Sequence, residues 1–157
     1  MKTMMVFSDI HYDRQVLRKL ETVMDEADYI VFTGDGILSV SDYLLKYDKK
    51  MYIVKGNCDS VDFDRELTLQ VEDVKFFITH GDRYSVKNDL SKLSYRAEEL
   101  GCDVALFGHT HQSLIEKVGN VTLINSGSLS LPNDFQKTYC YIVVNKDKFF
   151  AKIVKIG

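Results

Sequence analysis

Five short apolar segments of this 157-residue chain each end at residues that commonly bind metals. These residues are Asp9 with His11, Asp35, Asn57, His80, and His109 with His111. The C-terminal ends of parallel strands border one crevice of an α/β sheet, so residues at those ends can meet there. All four histidines of the chain belong to this set, which would not be expected of histidines scattered over a surface. The pattern predicts one polar site formed by strand ends.

His109 and His111 follow the apolar run 104–106 and Gly108. In extended backbone, side chains two residues apart point to the same side, roughly 6–7 Å apart. Two such imidazoles can chelate one ion or reach different members of a pair, because the ions of two-metal sites lie about 3.5–4 Å apart. Taken singly, the same histidines suit a surface turn, Asp35 suits an ordinary turn and Asn57 suits a helix cap.

The first third of the chain alternates strands and helices. Apolar runs at 4–7, 29–32 and 51–54 predict three strands. Between the first two, Asp13 is a candidate N-cap for a helix whose apolar stripe runs from Val16 to Ala27. A second helix is predicted over 41–47. This order is typical of parallel α/β units.

The later part of the chain favours hairpins. Strands are predicted at 66–71 and 74–79, at 113–118 and 121–125, and at 138–144 and 149–156. A helix beginning at an Asn88 cap and ending before Gly101, followed by a strand at 103–107, lies between the first two hairpins. No repeat, linker or low-complexity segment is visible, so residues 1–157 are predicted to form one domain.

Composition limits the function classes. The net charge of −3 provides no basic field for nucleic acid, so a dedicated nucleic-acid partner is not expected. An acidic residue comes too early for a signal peptide, and no apolar run reaches the roughly 18 residues of a membrane helix. Cys58, Cys102 and Cys140 are an odd, widely spaced set, which favours reduced thiols in a cytoplasmic protein without membrane attachment.

The chemistry of the seven candidate ligands favours divalent transition metals. Two carboxylates, four imidazoles and one amide suit Mn²⁺, Ni²⁺, Fe²⁺, Co²⁺ or Zn²⁺ better than Ca²⁺ or Mg²⁺. With one carboxylate bridging, seven side chains would give each of two ions four protein contacts. Two ions and two aspartates leave a site charge of about +2, or about +1 with a bridging hydroxide. An acidic protein could therefore still attract a phosphate here.

The ordered motifs resemble those of the calcineurin-like metallophosphoesterase superfamily, specifically its small single-domain bacterial and archaeal phosphodiesterase branch. The motifs are Asp9-Ile10-His11, Gly34-Asp35, Gly56-Asn57-Cys58-Asp59, His80-Gly81 and Gly108-His109-Thr110-His111. The stretch Asn125-Ser126-Gly127-Ser128, followed by Pro132, is similar to a loop that lies near the metals in this branch. The resemblance implies an α/β fold: a four-layer α/β/β/α sandwich of two mixed β-sheets flanked by helices.

The same resemblance implies a ligand set and a mechanism. Asp9, His11, Asp35 and His111 would hold one metal, and Asp35, Asn57, His80 and His109 the other. Asp35 would bridge the two ions, with Mn²⁺ as the first candidate metal. A metal-bridging hydroxide would attack phosphorus in line without a covalent intermediate. The predicted catalytic residues are Asp35, Asn57, His80 and Cys58, and the predicted substrate is a small phosphodiester or phosphate ester.

Three positions differ from common family patterns. Cys58 stands where many members have a histidine that protonates the leaving group; cysteine is common in this branch and argues against a strong general acid. Asp82 follows His80-Gly81 where histidine is frequent, and Leu38 replaces an acidic residue of some relatives. A protein-interaction scaffold, a phosphomonoesterase and a nuclease remain as alternative functions, and a homo-oligomer remains open.

Overall fold

Two five-stranded mixed sheets form the centre of the molecule. The computed structural model describes residues 1–130 and 136–156. The strands of the first sheet are β1 (Lys2–Phe7), β2 (Tyr29–Phe32), β3 (Met51–Ile53), β9 (Lys137–Asn145) and β10 (Lys148–Ile156). The strands of the second sheet are β4 (Glu66–Val71), β5 (Val74–Thr79), β6 (Val104–Phe107), β7 (Leu114–Val118) and β8 (Val121–Asn125). All ten predicted strands are confirmed, and seven of their twenty ends are shifted, each by one or two residues.

Strand order explains why the ligand-bearing ends come together. The first sheet has the order β10-β9-β1-β2-β3, and the second has the order β4-β5-β6-β8-β7. Strands β1, β2 and β3 are mutually parallel, with Met4 paired to Tyr29. Strands β5, β6 and β8 are also parallel to one another. The C-terminal ends of both parallel sets carry the predicted site residues, as expected for a sheet crevice.

Three apolar layers separate four layers of secondary structure. In β1, Met4 and Val6 face the second sheet, whereas Met5 and Phe7 face the helices on the other side, which is the two-residue alternation of a strand. A third apolar cluster joins the outer face of the second sheet to one helix through residues such as Leu93 and Phe107. The predicted α/β/β/α sandwich is therefore confirmed.

The first predicted helix is two short helices. They are α1 (Arg14–Arg18) and α2 (Glu21–Glu26). The Asp13 cap is confirmed, because its carboxylate accepts a hydrogen bond from the Val16 N–H. The chain then tightens at Lys19 and Leu20, whose N–H groups bond to carbonyls three residues earlier. The apolar stripe remains buried across the break. The helical spacing therefore predicted which residues are buried, but not that the helix is interrupted.

The other helices begin at different residues from those predicted. The segment predicted at 41–47 starts earlier, as α3 (Ile37–Val40), a 3-10 turn (Ser41–Tyr43) and α4 (Leu44–Tyr47). The last helix, α5 (Ser91–Glu99), begins three residues after Asn88, so the Asn88 cap was wrong. The Asp89 carboxylate instead accepts hydrogen bonds from Ser91. No helix within the described residues is long and apolar enough to cross a membrane.

Candidate metal centre

Five of the predicted ligands lie in left-handed backbone, which non-glycine residues rarely adopt. The φ angles of Asp9, His11, Asp35, His109 and His111 are 51°, 50°, 66°, 71° and 60°. Asp and His tolerate this region better than most side chains, and strained residues of this kind concentrate at functional sites. The extended backbone predicted for His109 and His111 was therefore wrong. The chain turns sharply at each of these five residues, and the turns direct their side chains into the crevice at the strand ends.

The first ligand group combines Asp9, His11 and His111, whose ligand atoms lie within 4.8 Å of one another. His111 Nε2 is 3.2 Å from Asp9 Oδ1. The Nε2 atoms of His11 and His111 are 3.5 Å apart. Two imidazole nitrogens facing each other beside a carboxylate need a proton or a cation between them. The group therefore has the donor set and spacing of a cation site.

The second ligand group combines Asp35, His80 and His109, again within 4.8 Å. His80 Nε2 is 3.2 Å from Asp35 Oδ2 and 3.3 Å from His109 Nδ1. His109 and His111 thus belong to different groups. Of the two arrangements that the spacing left open, the structure has the one in which each histidine reaches its own group.

The two groups adjoin one another. His80 Nε2 is 4.0 Å from Asp9 Oδ1, although the two residues belong to different groups. Burial raises the pKa of Asp35, but hydrogen bonding and positive charge from His80, the Cys58 N–H and the charge of His11 lower it to about 2. Asp35 is therefore influenced by histidines of both groups and stays ionised at neutral pH. Its position suits a carboxylate shared by two cations.

His80 has the orientation of a metal-binding histidine. Its Nδ1 lies 2.8 Å from the Thr33 carbonyl oxygen, so Nδ1–H donates there and Nε2 faces the site. Metal-binding histidines usually have such a backbone partner on the second ring nitrogen. Burial lowers the pKa of His80, but its hydrogen bond with Asp35 and the charges of Asp9 and Asp35 raise it overall. Without metal, a shared proton holds the His80–Asp35 pair together.

Asp9 provides the clearest test of whether the residues fit a metal. The residue is completely buried. Its Oδ2 accepts hydrogen bonds from Ser8 Oγ at 2.6 Å and the His109 N–H at 3.1 Å. Its Oδ1 makes no hydrogen bond with the described residues, and the ring nitrogens of His111 and His80 lie 3.2 Å and 4.0 Å from it. A buried carboxylate oxygen without a hydrogen bond is costly, and a cation held between it and these nitrogens would remove that cost, so the residues fit a metal.

Asn57 and Cys58 lie beside the second group, at the surface. The Cys58 N–H donates to Asp35 Oδ1 at 2.8 Å. The Asn57 amide nitrogen lies 3.7 Å from Cys58 Sγ, and both side chains are exposed. Desolvation raises the pKa of the Cys58 thiol, and the negative charges of Asp35, Asp59 and Asp9 raise it further. The thiol is thus protonated at neutral pH and is a weak acid.

Asp59 connects the turns around the site, and the sequence assigned it no role. Its carboxylate accepts hydrogen bonds from four backbone N–H groups, at 2.8–3.1 Å. These donors belong to Asp35, Gly36, Ile37 and Gly56. The contact fixes the turn that carries Asp35 against the turn that follows β3. The sequence signal was the position of Asp59 directly after the Gly-Asn-Cys motif.

Close backbone contacts require glycine at two positions of the site. A Cβ atom on Gly108 would lie 2.1 Å from Ser8 Oγ and 2.6 Å from Asp9 Oδ2. A Cβ atom on Gly56 would lie 2.0 Å from Asp35 Oδ1. Only glycine allows these turns to approach the two carboxylates.

The end of β8 and the loop that follows it contact the turns that carry candidate ligands, so this stretch lies near the ligand groups, as the resemblance implied. Asn125 Nδ2 donates to the Gly108 carbonyl at 2.9 Å and to Thr110 Oγ1 at 3.0 Å. Ser128 Oγ donates to the Asp9 carbonyl oxygen at 2.7 Å. These bonds connect β8 to the turns that carry ligands of both groups. Pro132 of the predicted loop lies outside the described residues.

Of the two other departures noted in the sequence, Asp82 lies close to the site. Burial lowers the pKa of His109, as do the positive charges of His80 and Lys87, and the negative charge of Asp82 raises it in part. Leu38 is about half exposed and lines a small cavity beside Cys58. Neither side chain joins a ligand group.

Comparison with known proteins gives a consistent result. Residues 1–148 match the family model of the calcineurin-like phosphoesterase superfamily domain. A probable metallophosphoesterase of Bacillus subtilis is 33% identical over 151 residues, which cover 95% of this chain and 87% of the relative. A phosphodiesterase of Escherichia coli is 27% identical over 158 residues, covering 84% of this chain and 82% of the relative.

A solved structure has the same fold. A conserved predicted phosphoesterase of Streptococcus pneumoniae superimposes with a TM-score of 0.86 at 24% identity. The match covers 98% of this chain and 89% of that protein. The likeness extends over both sheets and the helices that flank them.

Proposed function

Because the chain belongs to the calcineurin-like phosphoesterase superfamily, we propose that it is a phosphodiesterase that depends on two divalent transition-metal ions. One ion would be held by Asp9, His11, Asp35 and His111. The other would be held by Asp35, Asn57, His80 and His109. The observation that carries this proposal is the pair of adjoining ligand groups, next to a buried Asp9 oxygen that makes no hydrogen bond with the described residues. Mn²⁺ is the first candidate, and residues 1–157 would act as one domain.

When bound, the two ions would lower the pKa of water enough to supply a nucleophile for in-line attack on phosphorus and would offset charge on the phosphoryl oxygens. The protein side chains set the geometry. Thr33 fixes the His80 ring so that Nε2 faces the site. Ser8 and the His109 N–H hold Asp9 Oδ2, which leaves Oδ1 directed at the ligand groups. Asp35 would contact both ions, since histidines of both groups influence it.

Charge and proton supply favour a diester over a monoester. With two divalent ions, two aspartate ligands and a nucleophilic hydroxide, the site charge would be about +1, which matches a singly charged phosphodiester. Cys58 occupies the position of the general acid that would protonate the leaving group. The raised pKa of its thiol makes it a poor proton donor. The enzyme would therefore prefer esters whose leaving groups depart without protonation.

The cysteines support a cytoplasmic location as part of this proposal. Cys58, Cys102 and Cys140 are all free thiols, and Cys102 and Cys140 are buried. Structural disulfides are rare in the reducing cytoplasm, and this chain uses none among its cysteines.

The test begins with chelated, metal-free protein. Mn²⁺ would be titrated in, and bound metal per chain measured by elemental analysis. Hydrolysis of bis(p-nitrophenyl) phosphate and p-nitrophenyl phosphate would be measured in parallel. We expect two ions per chain and faster diester hydrolysis. Asp35→Asn should bind fewer ions, whereas the exposed control Asp62→Asn should match wild type.

Three results would contradict the proposal. Fewer than two ions in wild-type protein under saturating Mn²⁺ would exclude the two-metal site. Two bound ions with hydrolysis of the monoester alone would replace the phosphodiesterase with a phosphomonoesterase. Metal binding without any hydrolysis would favour the scaffold alternative.

A further inference from the structure

A cavity of about 470 Å³ lies on the outer side of the second sheet, next to the candidate metal centre. We call it the side cavity. Its apolar lining comes from the partly buried Leu90 and Leu114 and from Val86 and Phe107, which are only 5% and 1% exposed. Asp89 also lines the cavity, and its carboxylate accepts hydrogen bonds from Ser91. The volume falls within the range of about 300–1,000 Å³ that is usual for sites of small organic ligands. The side cavity is therefore large enough for an organic group.

The side cavity adjoins the ligand groups through the histidine turn. Thr110, one of its lining residues, stands between His109 and His111 in the chain. Phe107, another lining residue, ends β6, the strand that leads into this turn. A phosphate bound at the metal centre would thus have the mouth of the side cavity beside it.

Three polar side chains at the rim are available to a ligand. Lys87, Asn88 and Gln112 line the side cavity. Within the described residues, the Lys87 ammonium forms no ion pair closer than 4.0 Å, and the Asn88 and Gln112 amides form no hydrogen bond. Two amides can both donate and accept hydrogen bonds, and an ammonium can pair with a phosphate oxygen. The rim therefore suits a ligand with hydrogen-bonding edges close to a negative charge.

A second cavity beside the metal centre offers far less space. The small cavity beside Cys58, Leu38 and His11 has a volume of only about 60 Å³. It can hold waters or a small alkyl group, but not a ring system. The two sides of a phosphodiester bound at the centre would consequently meet very different surroundings.

We propose that the side cavity binds a nucleoside, so that the substrates of this enzyme are nucleotide phosphodiesters with a small group on the other side of phosphorus. A base and sugar would lie between the apolar walls, with their polar edges at Asn88 and Gln112. Lys87 would contact a non-bridging phosphate oxygen. This inference rests on the proposed phosphodiesterase function for the placement of the phosphate, but it adds a binding site that does not depend on catalysis.

The test measures binding before it measures hydrolysis. Calorimetry on the Mn²⁺-loaded protein would compare thymidine 5′-monophosphate with methyl phosphate. We expect the nucleotide to bind about tenfold more tightly or better. Leu114→Trp, which fills the side cavity, and the exposed double variant Asn88→Ala/Gln112→Ala should both reduce that preference. Lys117→Gln on the same strand as Leu114 is the matched surface control and should retain it.

Measurements of hydrolysis then distinguish the nucleoside site from the proposed phosphodiesterase function. In wild type, kcat/KM for thymidine 5′-(p-nitrophenyl phosphate) should exceed that for methyl p-nitrophenyl phosphate, and the rim variants should lower only the former. Equal binding of both phosphates, or a nucleotide preference unchanged in the rim double variant, would overturn the nucleoside site. A nucleotide preference in binding without hydrolysis of either ester would leave this site standing and overturn the phosphodiesterase.

Discussion

Asp59 shows how far the geometry of the centre depends on a side chain that is not itself a candidate ligand. Four N–H groups from two separate turns converge on its carboxylate. One of those turns carries Asp35, which has an unfavourable positive φ. Such backbone persists only where surrounding contacts over-determine it. Asp59 is the contact that holds Asp35 in place.

Replacing Asp59 should therefore cost both stability and metal affinity. Asp59→Ala leaves four N–H donors without their acceptor, and we expect a loss of about 3 kcal/mol in the free energy of unfolding of metal-free protein. Mn²⁺ affinity should fall about 10–100-fold, as is usual when the support of a ligand is removed. Urea unfolding and metal titration would measure the two effects. Asp62→Ala, at an exposed neighbouring position, should change stability by less than about 0.5 kcal/mol. An equal loss in both variants would contradict this role.

Cys58 leads to a prediction about substrates. Its thiol has a raised pKa and is a weak donor, so Cys58→Ser should change the hydrolysis of aryl diesters by less than about threefold. Cys58→His would introduce a group with a pKa near 6.5, which can protonate an alkoxide. We expect it to raise the rate mainly for alkyl diesters, with aryl diesters as the internal control. If Cys58→Ser lost activity on both substrates while two metals remained bound, the thiol would have a direct role.

Each candidate ligand could be predicted from the sequence. The backbone turns and hydrogen bonds that hold these ligands in place could not. Asp9, His80 and His111 follow apolar strands, and that position is visible in the sequence. The left-handed turns at these strand ends are not visible, because Asp and His also occur in extended backbone. The contact between Asp59 and the Gly36 N–H spans 23 residues and depends on the packing of β2 beside β3. No pattern within a short stretch of sequence indicates a contact between residues so far apart along the chain.

At the scale of elements, strands were predicted more accurately than helices. Strands such as β1, β2 and β6 are short, buried apolar runs that composition alone marks. The more exposed strands β7 and β10 were predicted as partners in hairpins. The helices α1 and α2 share one apolar stripe across a break at Lys19 and Leu20, and the stripe gives no sign of the break. The start of α5 was misplaced because Asn88 suits a cap by residue type, whereas the helix begins after Leu90 and has no side-chain cap.

The end of α5 allows a clean test of backbone strain. Gly101 has a φ of 71°, its N–H donates to the Glu98 carbonyl, and an added Cβ would meet nothing within 4 Å. Gly101→Ala should therefore cost about 1 kcal/mol of unfolding free energy through backbone conformation alone. Gly101→Asn should cost less, because asparagine tolerates the left-handed region. Urea unfolding would measure both, and equal costs would contradict a conformational origin.

At the scale of the whole molecule, both ligand groups join the two sheets. Asp9, His11 and Asp35 follow strands of the first sheet, whereas His80, His109 and His111 follow strands of the second. Each group contains residues from both sheets. Bound metals would therefore cross-link the open edge of the sandwich, where the central apolar layer ends. Metal binding should stabilise the entire fold and not only the loops that carry the ligands.

This cross-link should depend on pH in a defined direction. In metal-free protein, His80 has a raised pKa, so its protonated pair with Asp35 contributes stability that is fully present below pH 6.5 and is lost as pH rises through the folded-state pKa. Metal binding requires the same histidine to be deprotonated, so metal affinity rises over that range. Because metal must displace this proton, the stabilisation by metal is larger at higher pH. At a free Mn²⁺ concentration of 100 times the dissociation constant, it amounts to about 2.7 kcal/mol per independent site.

Thermal unfolding with and without a fixed Mn²⁺ concentration, at pH 6 and pH 8, would measure this difference. We expect the metal-induced rise in Tm to be clearly larger at pH 8. His80→Gln removes both the proton and one ligand, so it should show a smaller rise that changes little between the two pH values. Asp62→Asn should reproduce wild type, because it leaves every ligand in place. A metal-induced rise that is equal at pH 6 and pH 8 in wild type would contradict competition between the His80 proton and metal. A rise unchanged in His80→Gln would show that metal stabilises the molecule somewhere other than between its two sheets.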